Sequence, residues 1–299
     1  MKNKYHFFIV SMFLVFIACN KNQDIFINNP PSESDKSLGY QVVEYLPAPG
    51  QYINEKASGF NDFNTMDQAC SYAQARLEQN QYVSLGSWGG YIIVRFDKSI
   101  NNSGGYDFAI SGNSFDSSSE PGIVWVMQDT NQNSIPDDEW FELKGSYFGQ
   151  EGYERNYWVT YYRPAAKEPT LWEDSNGESG YVQWLGNYHS QDFYYPQWVK
   201  EDSYTLYGSR LPLRAYQNEI THQWQNDPFE WGYADNYGED FSKNDLRNYF
   251  KISDAVTFDN LPANLSSIDF VKVQTAINGN AGLLGENSTE VTGFYYLND

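Results

Sequence analysis

Pro121–Ser146 reads PGIVWVMQDTNQNSIPDDEWFELKGS, and its three parts set the fold class. Gly122–Gln128 is apolar and rich in β-branched and aromatic residues, as a buried strand requires. Asp129–Asp138 then concentrates Asp, Asn, Ser and Pro, residues that stop strands and close turns. Aromatic sequence resumes at Trp140 and Phe141, so strand, polar loop and strand make a hairpin.

The same short strand pattern recurs along the chain. Gln41–Leu46, Tyr91–Asp97, Tyr106–Ile110, Tyr157–Tyr162, Tyr181–Leu185, Tyr204–Tyr207, Ile268–Thr275 and Val291–Tyr296 are short and β-branched or aromatic, mostly bounded by Gly, Asn, Asp or Ser. One segment departs from it. After Asn64, the residues Met66, Ala69, Cys70, Ala73 and Leu77 follow helical spacing, which turns Cys70 inward as a small buried hydrophobe. These readings predict an all-β jelly-roll β-sandwich with one embedded N-terminal helix and long aromatic-rich loops.

The loop itself has a ligand pattern. Asp129, Asn131 and Asn133 alternate, Ile135 follows with a backbone carbonyl, and Asp137 and Asp138 close the run. Calcium takes about 6–8 oxygens, and a twelve-residue loop starting at Asp129 supplies them at positions 1, 3, 5, 7 and 9. Two positions depart from the EF-hand pattern: Ser134 replaces the turning Gly, and Trp140 replaces the closing bidentate Glu. Asp138 or Glu142 is left to supply the last carboxylate. The flanks are strands, so the loop shares only local ligand logic with an EF-hand. A solvated acidic turn is the competing reading; a structural Ca²⁺ is the expectation carried forward.

The first residues bear on location. Lys2 and Lys4 precede an apolar run from Phe7 to Ala18, then Cys19 follows. That is the layout of a secretory signal, and the run is too short to span a membrane. Phe16-Ile17-Ala18-Cys19 resembles a bacterial lipoprotein signal, with Cys19 as the lipidated N-terminus; an ordinary signal peptide is the alternative. The expected organisation is a signal peptide over 1–18, lipidated Cys19 and a tether over 19–37, and one β-sandwich domain over 38–299. Loss of Lys2 and Lys4 from 19 basic residues leaves 17 against 39 acids, a formal charge of −22. That field repels nucleic acid. With Cys19 lipidated, Cys70 has no partner and no disulfide framework exists.

Aromatic residues make up 18% of the chain and crowd between Tyr153 and Tyr237, where Gly, Asn, Asp and Pro suggest loops. Loop-borne rings offer rigid faces with polar tips. Trp184, His189, Tyr194, Tyr195, Trp198 and Trp224 are therefore the candidate ligand-binding residues, with a packed satellite core as the bland alternative. No G-x-S-x-G, H-E-x-x-H, P-loop or C-x-x-C occurs, no catalytic residue is assigned, and the chain is not expected to be an enzyme.

A set of ordered blocks carries a family resemblance. They are Gly89–Asp97, Asn102, Gly104–Phe108, Gly112–Asp116, Glu120–Gly122, Trp231–Asn236, Ile268–Val273 and Leu284–Val291. The chain resembles a family of Bacteroidetes cell-surface lipoproteins with a jelly-roll, galactose-binding-like domain, over nearly all of Tyr40–Asp299. That resemblance implies an accessory protein of vitamin B12 uptake: lipid-anchored in the outer membrane, facing the exterior, and handing a corrinoid to a TonB-dependent transporter. The alternative is a carbohydrate-binding or adhesion module of the cell surface. A flat corrin ring or a sugar face would stack on the aromatic loops, and His189 offers an imidazole to a corrinoid cobalt.

Overall fold

A computed structural model describes residues 39–297; the expected signal segment 1–18, Cys19 and the tether to residue 37 lie outside the described residues. Strand-forming sequence dominates them, and the fold is an all-β sandwich. Tyr40–Leu46, Tyr91–Asn101, Ser267–Thr275, Gly122–Met127, Trp140–Leu143 and Ala255–Val256 lie side by side in that order as a six-stranded antiparallel sheet. The opening hairpin sits inside it, with Trp125 opposite Glu142 and Met127 opposite Trp140.

Alternation along these strands divides the side chains between two faces. Val42, Ile92, Val94, Phe96, Val124, Val126, Val271 and Val273 point inward and join the main core. Facing them is a four-stranded sheet of Phe241–Ser242, Arg247–Phe250, Phe108–Ser111 and Gly293–Tyr296, which contributes Phe108, Ile110, Phe250 and Phe294. A second four-stranded sheet, Ser203–Arg210, Glu154–Tyr162, Thr170–Asp174 and Ser179–Val182, adds Tyr157, Val159, Tyr161 and Leu206. Fully buried Trp88 joins it to the core: Tyr157 meets its ring edge-on at 4.7 Å, and the Tyr161 hydroxyl donates to its carbonyl at 2.8 Å.

The single α-helix among the described residues, Met66–Glu78, buries Ala69, Cys70, Ala73 and Leu77, the face its spacing predicts. Thr65 caps it by accepting from the Gln68 amide at 3.3 Å, while the Gln68 side chain accepts from the Asn64 amide at 2.8 Å. Burial pushes the Cys70 thiol up to about 11, so it remains protonated and inert. Short strands at Thr170–Asp174, Ala215–Gln217, Trp224–Asn226 and Arg247–Phe250 fall where the sequence signals only polar or aromatic loop. Their cross-strand partners form them.

The segment between Val182 and Asp202 lacks strands and holds itself by side chains. His189 Nδ1 lies 2.6 Å from Glu55 Oε1, with the Tyr52 ring 4.6 Å from the imidazole. Burial alone raises the Glu55 carboxyl, but hydrogen bonds from His189 and Ser58, with the His189 and Arg76 charges, hold it below its ordinary value. A depressed carboxyl contributes stability above its unfolded value and loses it as pH falls through the folded one. Glu55→Gln is expected to lower the unfolding free energy at pH 7 by about 1.5–3 kcal/mol, the range for a hydrogen bond to a charged group. Denaturant titration from pH 7 to pH 3 should show the difference closing below about pH 4; a constant difference would contradict the clamp.

Candidate functional site

The Asp129–Asp138 loop folds on its own polar groups. Asp129 accepts from the amides of Asn133 at 3.1 Å and Ser134 at 2.9 Å, and Asn133 Oδ1 accepts from the Ile135 amide at 2.7 Å. Asp137 accepts from the side-chain amides of Asn131 at 3.1 Å and Asn133 at 3.0 Å. The loop thus brings Asp129, Asn131, Asn133 and Asp137 together, while Ile135 stands exposed. Ser134, which replaces the turning Gly, adopts the left-handed conformation all the same, at φ 63°.

Asp138 turns away toward Thr130, accepting from its hydroxyl at 2.6 Å and its amide at 2.9 Å. The Thr130 hydroxyl, with the Asn131 and Thr130 amides, holds that carboxyl below its ordinary value. Glu142 does not complete the loop. Its side chain is buried on the sheet, accepting from Ser209 at 2.6 Å and Tyr153 at 2.8 Å, and burial pushes its carboxyl up. Trp140 packs over the same sheet face.

A second oxygen cluster has no signature in local spacing. Glu120, Asp235 and Glu290 bring carboxylate oxygens within 4.8 Å of one another, and Asp235 and Glu290 are buried. Asp235 sits at φ 52°; its Oδ1 accepts from the Asn113 amide at 2.8 Å and its Oδ2 from the Glu290 amide at 3.0 Å. Glu120 accepts from the Ser288 amide at 3.2 Å, and its own amide donates to the Asp235 carbonyl at 3.1 Å. A side chain at Gly112 would press within 2.6 Å of Asp235 Oδ1 and 2.9 Å of the Glu290 carbonyl, so only glycine lets that strand end approach. Three hard oxygen donors in a buried setting suit a calcium ion, which offsets the repulsion among them. Each member lies in a different quoted block, which is the one signal that grouped them.

The candidate ligand-binding aromatics pack as scaffold. Tyr194, Tyr195 and Trp198 are buried in the main core, correcting the expectation of an exposed platform. Tyr194 donates to the His189 carbonyl at 3.0 Å and accepts from the Leu185 amide at 2.9 Å. Tyr195 meets Tyr204 edge-on at 5.0 Å under the Arg163 guanidinium, and Trp198 lies between Tyr45 and Phe60. Trp184 bonds the Gln191 carbonyl at 2.9 Å and covers Gly186, and Trp224 covers Gly282. Lacking strands of its own, this aromatic segment packs its rings into the main core against the sheets.

An open cleft lies elsewhere. Tyr106, Trp231, Glu239, Asp240, Tyr249, Lys251 and Asp254 line about 360 Å³, and a second hollow over Phe229, Tyr237 and Lys243 shares Glu239. Tyr249 meets Tyr106 edge-on at 5.6 Å, and Lys251 lies 5.0 Å over the Tyr106 ring. Trp231 is 37% exposed and, among the described residues, no ring or cation packs on its indole. Burial pushes the Asp240 carboxyl up to about 6, opposed by hydrogen bonds from the Gly232 amide at 2.7 Å and Asn248 at 3.3 Å. Burial also raises Asp254, against Lys251 and Lys144.

The cleft and the carboxylate cluster share one loop. Asn236, next to Asp235, accepts from the Phe229 amide and donates to its carbonyl, both at 2.8 Å. Asn248 donates to the Asn236 carbonyl at 2.7 Å and to Asp240. Trp231 stands on the span so held.

No protein-family model matches the chain, and no curated protein does.

A calcium ion at either oxygen set makes chelation the deciding treatment. At a hundredfold excess over Kd, an ion bound only to the folded chain contributes about 2.7 kcal/mol, or about 5–10 °C in Tm. Chelator is expected to lower Tm by about that amount. Asp129→Ala with Asp137→Ala removes the loop's share, and Asp235→Asn the cluster's. A parent melting curve that chelator leaves unchanged would remove calcium from both places.

Proposed function

We propose that this chain is a non-catalytic ligand-binding module, lipid-anchored through Cys19 at the outer membrane, whose cleft at Trp231 holds a carbohydrate. The observation that carries the reading is the uncommitted Trp231 indole beside Glu239, Asp240 and Asp254. An aromatic face takes the apolar side of a sugar ring, and carboxylates accept from its hydroxyls. The cleft's size fits one or two sugar rings, with the hollow over Tyr237 extending it past Glu239. Calcium is proposed as a structural ion at Glu120, Asp235 and Glu290, and at the Asp129–Asp137 loop.

Corrinoid capture for a TonB-dependent transporter is the second reading. It rests on the family resemblance of the Gly89–Asp97, Trp231–Asn236 and Leu284–Val291 blocks. A corrin ring is larger than the cleft, so it would cover Trp231 and Tyr106 from outside rather than enter.

Titration of the purified chain with a glycan panel and with cyanocobalamin separates the two. The carbohydrate reading expects a glycan to bind, Trp231→Ala to weaken it at least about tenfold, a loss of about 1.4 kcal/mol, and the bound glycan to be recovered intact. Affinity should rise as pH increases through about 6, where Asp240 ionises and becomes a full acceptor. Binding of cyanocobalamin alone would overturn it in favour of corrinoid capture, and hydrolysed glycan would overturn the non-catalytic assignment.

A further inference from the structure

The cleft at Trp231 is unevenly charged. Glu239, Asp240 and Asp254 line it against the single ammonium of Lys251. That lysine is itself committed: it lies 5.0 Å over the Tyr106 ring and, with Lys144, acts on Asp254. Other cations near the cleft are committed as well. Arg247 lies 3.7 Å from Asp245, which also accepts from the Tyr249 hydroxyl at 2.6 Å, and it covers the Tyr295 ring. Lys243 lies 4.8 Å over Tyr237, in the second hollow.

Glu239 and Asp240 are left without a counter-charge. No ion pair reaches either of them among the described residues. Asp240 accepts from neutral amides, Gly232 at 2.7 Å and Asn248 at 3.3 Å. Glu239 is exposed beside it, and its charge adds to the burial that pushes the Asp240 carboxyl up. The Trp231 end of the cleft therefore joins an open indole face to two uncompensated carboxylates. An indole face attracts a cation, and so do the carboxylates beside it.

We propose that this cleft selects amino sugars, seating a free ring ammonium among the Trp231 indole, Glu239 and Asp240. The inference rests on the carbohydrate reading of the same cleft and names its substrate class. A sugar hydroxyl uses only the acceptor capacity of a carboxylate. An ammonium brings three donors and a charge, and such hydrogen bonds are roughly twice as strong as neutral ones. N-acetylation keeps the ring for stacking but removes that charge. An acidic sugar would meet two like charges in a chain whose net charge is −20. Lys251 offers it little, being held between Tyr106 and Asp254.

The test is calorimetric titration of the purified chain with three disaccharides: glucosamine, its N-acetylated counterpart and a uronic acid. A buffer at about pH 6.5 keeps Asp240 above its value of about 6. The amine-bearing disaccharide is expected to bind at least about tenfold tighter than the acetylated one, and the uronic acid weakest of the three. Trp231→Ala should weaken both glucosamine forms. Glu239→Gln, at an exposed position, should cut the amine preference to about threefold, and Asp240→Asn should narrow it too. A merely structural role for these acids would weaken both forms equally and leave the ratio unchanged, which would overturn the assigned seat.

Equal affinity for the amine and the acetamide, or a uronic acid bound as tightly as the amine, would overturn the selection. So would failure of the amine disaccharide to bind while another glycan does. Those outcomes leave the carbohydrate reading standing, whereas a glycan panel with no binder at all overturns that reading and this inference together.

Discussion

Asp235 is the constraint on which the far side of the sandwich depends. Its backbone is left-handed, a conformation that Asp and Asn tolerate better than other side chains. Its carboxylate accepts one amide from the Phe108–Ser111 strand exit and another from the C-terminal segment at Glu290. Its carbonyl takes the Glu120 amide at the start of the central hairpin strand. Three parts of the chain far apart in sequence meet on one residue. The cost is electrostatic: Glu120 and Glu290 place further carboxylate oxygens in the same small volume. A hard divalent cation held there would offset that cost, and the cluster's buried carboxylates make it the better-built of the two oxygen sets. The Asp129–Asp138 loop is exposed and already satisfied by its own amides.

From Asp235 the order propagates outward through amide side chains. Asn236 ties down Phe229, Asn248 ties Asn236 to Asp240, and Asp240 receives the Gly232 amide. Gly232, at φ 90°, lets that turn lie against Gly145, where a side chain would press within 2.4 Å. Trp231 is therefore presented on a rigid support, its indole turned to the cleft. A binding site on loops acquires precision in this way, since the loops inherit the geometry of the scaffold that holds them.

Much of the fold was legible because strand alternation and helix spacing are local signals. The Gly122–Met127 strand, the Met66–Glu78 helix and the inward Cys70 follow from residue order alone. Strands such as Arg247–Phe250 were not legible, since their register with Phe108–Ser111 rather than their composition defines them. The site was less legible for the same reason. Glu120, Asp235 and Glu290 have no shared spacing, and Tyr106, Trp231 and Tyr249 come from three distant segments. Aromatic density misdirected attention to Trp184–Trp198, where the rings are many because they pack into the main core against Tyr45, Phe60 and Tyr204. Trp231 stands almost alone, and its exposure shows only in three dimensions.

Amide hydrogen exchange on the parent chain and Asp235→Asn tests this dependence most directly. Asn keeps the left-handed preference and removes only the charge and one acceptor. If the cleft is held through Asp235, the amides of Asn113 and Glu290 lose protection, and those of Phe229 and Gly232 lose it with them. Faster exchange confined to Asn113 and Glu290, with Phe229 and Gly232 unchanged, would contradict the account.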